Sequence, residues 1–205
     1  MQKSISKKLN KCLVLFSGGM DSTTLLYWAL KKYNKVYAIG FDYRQRHKIE
    51  LKYAKKIAKL NNVSFKILKV DLKQIGGSLL TGKSGSVVVP GRNMIFLSLA
   101  VGYAMTKDIK EVFFCPTRDD YKLFRDCRPD FVEKISLASF TGYGVKIKAP
   151  FVNLNKKEIV KIGKKLNVPY EMTWSCYFPV KGKPCNKCLA CKKRYEALTF
   201  YQIIK

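Results

Sequence analysis

The stretch Leu13-Val14-Leu15-Phe16-Ser17-Gly18-Gly19-Met20-Asp21-Ser22-Thr23-Thr24 decides the fold. Its four leading apolar residues predict a buried strand, and the run from Ser22 to Leu30 predicts a helix. Between them, Gly18-Gly19 permits positive φ and lets a ligand approach the backbone closely. Successive amides with a helix N-terminus behind them form a concave site for phosphate oxygens. Asp21 and Ser22 are expected to cap the helix start through their side-chain oxygens. The hydroxyls of Ser22, Thr23 and Thr24 suit the same phosphate site. The longer, lysine-bearing Walker loop is absent from the sequence.

Outward from this stretch, Lys35 to Phe41 predicts a second buried strand, ending in Asp42-Tyr43-Arg44-Gln45-Arg46-His47. A helix follows with Ile49, Tyr53, Ile57 and Leu60 on one apolar stripe. Val63 to Val70 predicts a third strand. The glycine-containing segment Asp71 to Val89 is long enough to be functional or mobile rather than a plain connector. Pro90-Gly91-Arg92-Asn93 opens a helix over Met94 to Met105, and Glu111 to Cys115 predicts a fourth strand. After the charged loop Thr117 to Arg128, Pro129 starts a helix to about Phe140. Val145 to Phe151 is extended, and Asn155 with Glu158 forms a capping-box pattern for a helix to Leu166. Strands alternating with helices predict a doubly wound α/β fold with a mostly parallel sheet. Ligands in such sheets sit beyond the strands' C-terminal ends, so three polar loops are expected to converge on one cleft. One domain over residues 1–205 is expected, with a cysteine knuckle at 174–194 and a helix after it.

Forty lysines and arginines against 14 acidic residues give a formal charge of +26. Only seven of the 40 are arginine and the lysines are spread along the chain, so no basic stripe marks a nucleic-acid surface. No apolar run is long enough for a membrane span or a signal-peptide core, and the N-terminus from Met1 to Lys11 is polar and basic. Seven cysteines, four of them crowded near the C-terminus, argue against a disulfide framework and for a reducing cytoplasm.

Those four, Cys176, Cys185, Cys188 and Cys191, are spaced Cys-x8-Cys-x2-Cys-x2-Cys. Four thiolates at such separations suit a tetrahedral zinc with no open position, hence a structural metal. Iron–sulfur ligation uses similar spacings and stays open on spacing alone. Cys12 and Cys115 fall in predicted strands as small buried hydrophobes. Cys127 is either an active-site thiol or packing. His47, the only histidine, is either a contact to substrate or nucleotide or a structural side chain.

Ser17-Gly18-Gly19-Met20-Asp21-Ser22 resembles the pyrophosphate-binding loop of the ATP pyrophosphatases, which transfer AMP from ATP to a substrate oxygen. Other matching pieces are Asp42 to His47, Pro90-Gly91-Arg92-Asn93, Asp126-Cys127-Arg128-Pro129, Trp174-Ser175-Cys176 and Cys185 to Arg194. With them, the chain resembles the 7-cyano-7-deazaguanine synthase family from near residue 12 to near residue 195. The resemblance implies an adenine nucleotide alpha-hydrolase-like fold and a homodimer. It implies ATP bound by Phe16, Ser17, Gly18, Gly19, Met20, Asp21, Ser22, Thr23, Thr24, Leu25 and Leu26, and zinc on the four C-terminal cysteines. It also implies 7-carboxy-7-deazaguanine and ammonia as substrates. Two departures stand out: Arg44 replaces a usual glycine, and Lys122-Leu123-Phe124-Arg125 replaces Ser-Gly-Tyr-Pro.

The chemistry expected on these residues is adenylation of the carboxylate, displacement of AMP by ammonia, and a second adenylation that turns amide into nitrile. Ser17, Ser22 and the glycine amides would hold pyrophosphate, Asp21 would place Mg²⁺, and Arg92 would neutralise phosphate. Arg46 or Arg128 would hold the substrate carboxylate, with His47, Asn93 and Asp126 nearby. An enzyme that stops at the amide, another PP-loop enzyme acting on tRNA, and a non-catalytic zinc-ribbon nucleic-acid binder are the alternatives.

Overall fold

A computed structural model describes residues 9–204; the beginning of the basic N-terminal segment lies outside the described residues. Five strands, all parallel, form one sheet in the order β3-β2-β1-β4-β5. They are β1 (Leu9–Leu15), β2 (Tyr33–Asp42), β3 (Ser64–Lys69), β4 (Glu111–Phe113) and β5 (Lys146–Lys148). The helices are α1 (Met20–Lys32), α2 (Glu50–Leu60), α3 (Arg92–Met105), α4 (Pro129–Tyr143), α5 (Lys156–Lys165) and α6 (Leu189–Phe200). Among the described residues no helix is long and apolar enough to cross a membrane.

Alternation along the strands builds two core layers, because successive side chains point to opposite faces. Leu13 and Leu15, Ile39 and Phe41, and Val112 and Phe114 face α3 and α4. Cys12, Val14, Phe16, Ala38 and Phe113 face α1, α2 and α5. Leu25 and Leu26 of α1 are fully buried there, each contributing about 2 kcal/mol of transfer free energy. The chain winds outward from β1 through β2 to β3, then returns to place β4 on the other side of β1. The crevice between the C-terminal ends of β1 and β4 is therefore the switch point where such sheets take ligands.

Several boundaries differ from expectation. α1 runs past Leu30 and passes directly into β2 at Tyr33. The buried face of α2 is Leu51, Ala54, Ile57 and Ala58, whereas Leu60 is exposed. A stripe counted on large apolar residues passes over the alanines that make the closest contact with the sheet. Ile49 precedes the helix, and it and Tyr53 pack on the cysteine knuckle instead. Cys115 lies just beyond β4 rather than within it. The segment 71–89 buries Leu72, Leu80 and Val89 in the core, so it is an anchored loop. The Asn155–Glu158 capping box is formed as expected, with Glu158 N–H donating to Asn155 Oδ1 at 2.9 Å.

Candidate active site

The glycine loop leaves the C-terminal end of β1 at the sheet's switch point. Gly18 has φ +81°, and a Cβ there would lie 2.7 Å from both Ala54 N and Glu50 O. Both the left-handed backbone and the close approach of α2 require glycine. Gly19 N–H donates to Ser17 Oγ at 3.2 Å, and the Ser17 and Ser22 hydroxyls lie 3.0 Å apart. Asp21 and Ser22 do not cap α1: Gly19 is the N-cap, without a side-chain cap hydrogen bond among the described residues, and the Ser22 hydroxyl instead donates to Gly19 O at 3.2 Å. Leaving the start uncapped keeps its amides and positive dipole end for an anion. Thr23, Thr24, Leu25 and Leu26 are fully buried and line neither hollow. The Thr23 hydroxyl donates to Gly19 O at 2.7 Å, and Thr24 Oγ1 lies 2.8 Å from Tyr170 Oη. Their hydroxyls complete α1 and its packing, whereas Ser17 and Ser22 line the hollows beside the loop.

Two hollows of about 150 and 260 Å³ open beside the loop and share Ser17, Glu50, Asp120, Phe124 and Tyr177. The smaller holds Gly19, Met20, Asp21, Lys156, Lys193 and Arg194. Lys156 Nζ donates to Asp21 Oδ2 at 2.5 Å, while Asp21 Oδ1 is buried and has no partner among the described residues. Burial alone would lower the Lys156 pKa, but Asp21 and Asp120 outweigh it and hold the ammonium charged. Arg194 is fixed by donation to Thr173 Oγ1 at 2.5 Å and Tyr170 O at 2.6 Å. Lysine and arginine around a glycine loop make an anion pocket, and the orphan carboxylate oxygen is a ready ligand for a hard cation.

The larger hollow brings together loops after β1, β2 and β4, as the topology predicts. Arg92 donates to Tyr43 Oη at 3.4 Å and lies 5.9 Å from that ring's centroid. Among the described residues no carboxylate lies within ion-pair distance of it. A confined guanidinium without a counter-ion is suited to a bound carboxylate. His47 Nε2 is 3.3 Å from Tyr43 Oη, and Nδ1 is buried and has no partner among the described residues. Burial, with the Arg92 charge adding to it, lowers the His47 pKa to about 3, so the ring is neutral. Asn93 Nδ2 donates to Asp126 O at 3.5 Å and sits 3.6 Å from Cys127 Sγ. Burial and the nearby Asp120 and Asp126 push the Cys127 thiol up to about 12. It is a protonated wall of the hollow and not a ready nucleophile.

Arg46, Asp126 and Arg128 line neither hollow. Arg46 is exposed and donates to Gly82 O at 3.0 Å, and Arg128 Nε donates to Tyr121 O at 3.2 Å. Both are held by loop carbonyls, and of these three arginines Arg92 is the one that lines the larger hollow. Arg44 has φ +67° and lies outside both hollows, its Nε 3.7 Å from Asp71 Oδ2. The fixed member of its loop is Gln45, which receives Tyr43 N–H at 2.8 Å and donates to Phe41 O and Glu50 Oε1.

Beyond the smaller hollow, the Sγ atoms of Cys176, Cys185, Cys188 and Cys191 all lie within 4.8 Å of one another. All seven cysteines are free. Backbone N–H groups of Lys187 and Cys188, with the former the stronger, lower the Cys185 pKa to about 6. A thiolate is the form a metal binds. α6 starts just after Cys188 and carries Cys191 in its first turn, so the helix anchored on two sulfurs brings Lys193 and Arg194 to the hollow one turn further on. Trp174 closes the knuckle from the other side, donating from Nε1 to Cys176 O at 2.9 Å and packing on Tyr53.

The model of queuosine biosynthesis protein QueC matches residues 11–202. The 7-cyano-7-deazaguanine synthase of Thermoplasma volcanium is 44% identical, over 91% of this chain and 85% of its own length. That of Leptospira interrogans is 42% identical (90% and 85%), and that of Pseudoalteromonas atlantica 39% identical (92% and 94%). Two solved structures share the fold at low identity. The U34-tRNA thiolase NcsA from Methanococcus maripaludis has a TM-score of 0.58 at 15% identity, covering 97% of this chain and 67% of that one. The NH3-dependent NAD synthetase from Campylobacter jejuni has a TM-score of 0.53 at 21% identity, covering 82% and 68%. With a family model spanning nearly its whole length and relatives this similar, the chain belongs to the queuosine biosynthesis protein QueC family.

Proposed function

We propose that this enzyme converts 7-carboxy-7-deazaguanine and ammonia to 7-cyano-7-deazaguanine through two adenylations. The observation that carries the reading is an uncapped glycine loop opening onto a hollow with an unpaired arginine, in a chain of this family. Hydroxide leaves a carboxylate badly. Attack of the carboxylate oxygen on the α-phosphorus of ATP expels pyrophosphate and makes AMP the leaving group. Ammonia displaces AMP and gives the amide. A second adenylation, on the amide oxygen, lets AMP depart again as the nitrogen loses its protons, leaving the nitrile.

Ser17, Ser22 and the amides from Gly18 onward hold the pyrophosphate, with Lys156, Lys193 and Arg194 supplying positive charge. Asp21, with its unpartnered Oδ1, fits a Mg²⁺ ion, which supplies charge neutralisation on the phosphate oxygens. Arg92 and Asn93 hold the substrate carboxylate end, and His47 faces the same ligand as a neutral side chain. Catalysis rests on positioning and charge stabilisation. The four sulfurs, close enough to converge on one ion at Zn–S distances of about 2.3 Å, favour a structural zinc. The working unit is taken as a homodimer in a reducing cytoplasm, with exposed Leu137, Phe140 and Tyr143 of α4 offering apolar surface to a second copy.

The test is exchange of labelled pyrophosphate into ATP, dependent on 7-carboxy-7-deazaguanine. Asp21→Asn should abolish it. Exchange at the full rate in that variant would remove Asp21 from the reaction.

A further inference from the structure

We propose that Glu50 is the general base that releases ammonia from ammonium at the adenylated substrate. The inference rests on the reaction proposed above and adds a residue to it. At neutral pH most of the nitrogen donor is ammonium, which has no lone pair to attack with. The site must take one proton before a C–N bond can form.

Glu50 is the carboxylate placed for this. It opens α2 and lines both hollows, so it lies where the anion pocket meets the larger hollow. Asp120 shares that position, but its carboxylate closes the Thr117 capping box, accepting from Thr117 N–H and Oγ1–H through Oδ2. Glu50 is anchored through Oε1 alone, by Gln45 Nε2 at 3.1 Å, with His47 Nε2 at 3.6 Å from the same oxygen. Gln45 is itself locked by Phe41 O and Tyr43 N–H, so the carboxylate is held in place from its own loop. The groups around it are Tyr43 and His47 after β2, Arg92 from α3 and Tyr177 in the knuckle, just after Cys176. Of these only Arg92 is charged, and it faces the substrate carboxylate in the proposed pose. Burial raises the Glu50 pKa to about 7, against the lowering effects of Gln45 and Arg92, which suits proton exchange at neutral pH.

The step balances as follows. Ammonium gives one proton to Glu50 and becomes ammonia. Its lone pair forms the C–N bond to the acyl carbon, and the C–O bond to AMP breaks with the electron pair leaving on AMP. The surplus proton on the new nitrogen goes to the departing phosphate, and Glu50 returns its own to solvent.

The experiment compares ammonium with hydroxylamine, a nucleophile already unprotonated at neutral pH, in the full chain and in Glu50→Gln. With ammonium near pH 7, kcat should fall about 100-fold in the variant, the usual contribution of a positioned base. With hydroxylamine, hydroxamate formation should stay within about threefold of the parent. Equal losses with both nucleophiles, or a rise in KM for the acid alone, would assign Glu50 to positioning or substrate recognition and overturn the proposal. Undiminished turnover with ammonium would overturn it too. A parent enzyme that makes neither amide nor hydroxamate would instead overturn the reaction on which the proposal rests, and the proposal with it.

Discussion

The backbone N–H of Trp174 donates to the carbonyl of Gly18 at 2.9 Å. The phosphate loop and the cysteine knuckle, far apart in sequence, are thus joined by one hydrogen bond at the mouth of the smaller hollow. Gly18 is also where α2 passes closest, so three parts of the chain meet at a residue without a side chain. Gly18→Ala should destabilise the protein by about 2–3 kcal/mol, from the strained positive φ and the collision with Ala54 and Glu50. The midpoint of urea unfolding measures this, and an unchanged midpoint would contradict the packing described.

Metal removal should reach the nucleotide site. Cys188→Ser leaves three sulfurs and loosens the start of α6, which carries Lys193 and Arg194. Elemental analysis should give about one zinc per parent chain and substantially less in the variant. Weaker nucleotide binding should accompany that loss. Visible absorption that bleaches on reduction would indicate iron–sulfur instead.

Arg44 occupies a left-handed backbone, at the position where the family resemblance implies glycine, and its partner Asp71 is solvent-accessible. Arg44→Gly relieves the conformation at the loss of an exposed ion pair, so stability should change by less than about 1 kcal/mol. Turnover should be unaltered, because the side chain lines neither hollow. A change in the ratio of amide to nitrile would place Arg44 in substrate handling after all.

Glu50 gives a pH signature. Its pKa is raised from 4.5 to about 7 by burial, so the folded state keeps a proton that the unfolded chain releases in that window. Stability therefore falls as pH rises from about 4.5 to 7, by about 3 kcal/mol in all. Glu50→Gln removes that penalty and should be more stable than the parent near pH 8 by about 2–3 kcal/mol, with the difference closing as pH falls. Denaturant titrations across this range measure it; a variant less stable at pH 8 would contradict the buried-carboxylate description.

The sheet and its ligand edge were legible because the apolar runs and the Gly18-Gly19 break are local signals. The cysteine centre was legible for the same reason. The buried bonds of the Thr23 and Thr24 hydroxyls were not legible, since a hydroxyl at a helix start serves the helix backbone as readily as a ligand. Which arginine faces the hollow could not be read, because Arg46, Arg92 and Arg128 differ only in how their loops pack. Lys156 meets Asp21 across 135 residues of sequence, and pairing at that range leaves no periodic trace. One signal was present: Asn155 caps α5, so Lys156 sits in its first turn, where the helix dipole disfavours a cation. A lysine placed against that preference is held by something outside the helix, here Asp21.

The central claim is most directly tested by incubating the purified chain with 7-carboxy-7-deazaguanine, ammonium and Mg-ATP and identifying the products by mass. The expected products are 7-cyano-7-deazaguanine, AMP and pyrophosphate, with the amide appearing first and then declining. Formation of ADP and phosphate, or an amide that accumulates and is not converted on further ATP, would contradict it.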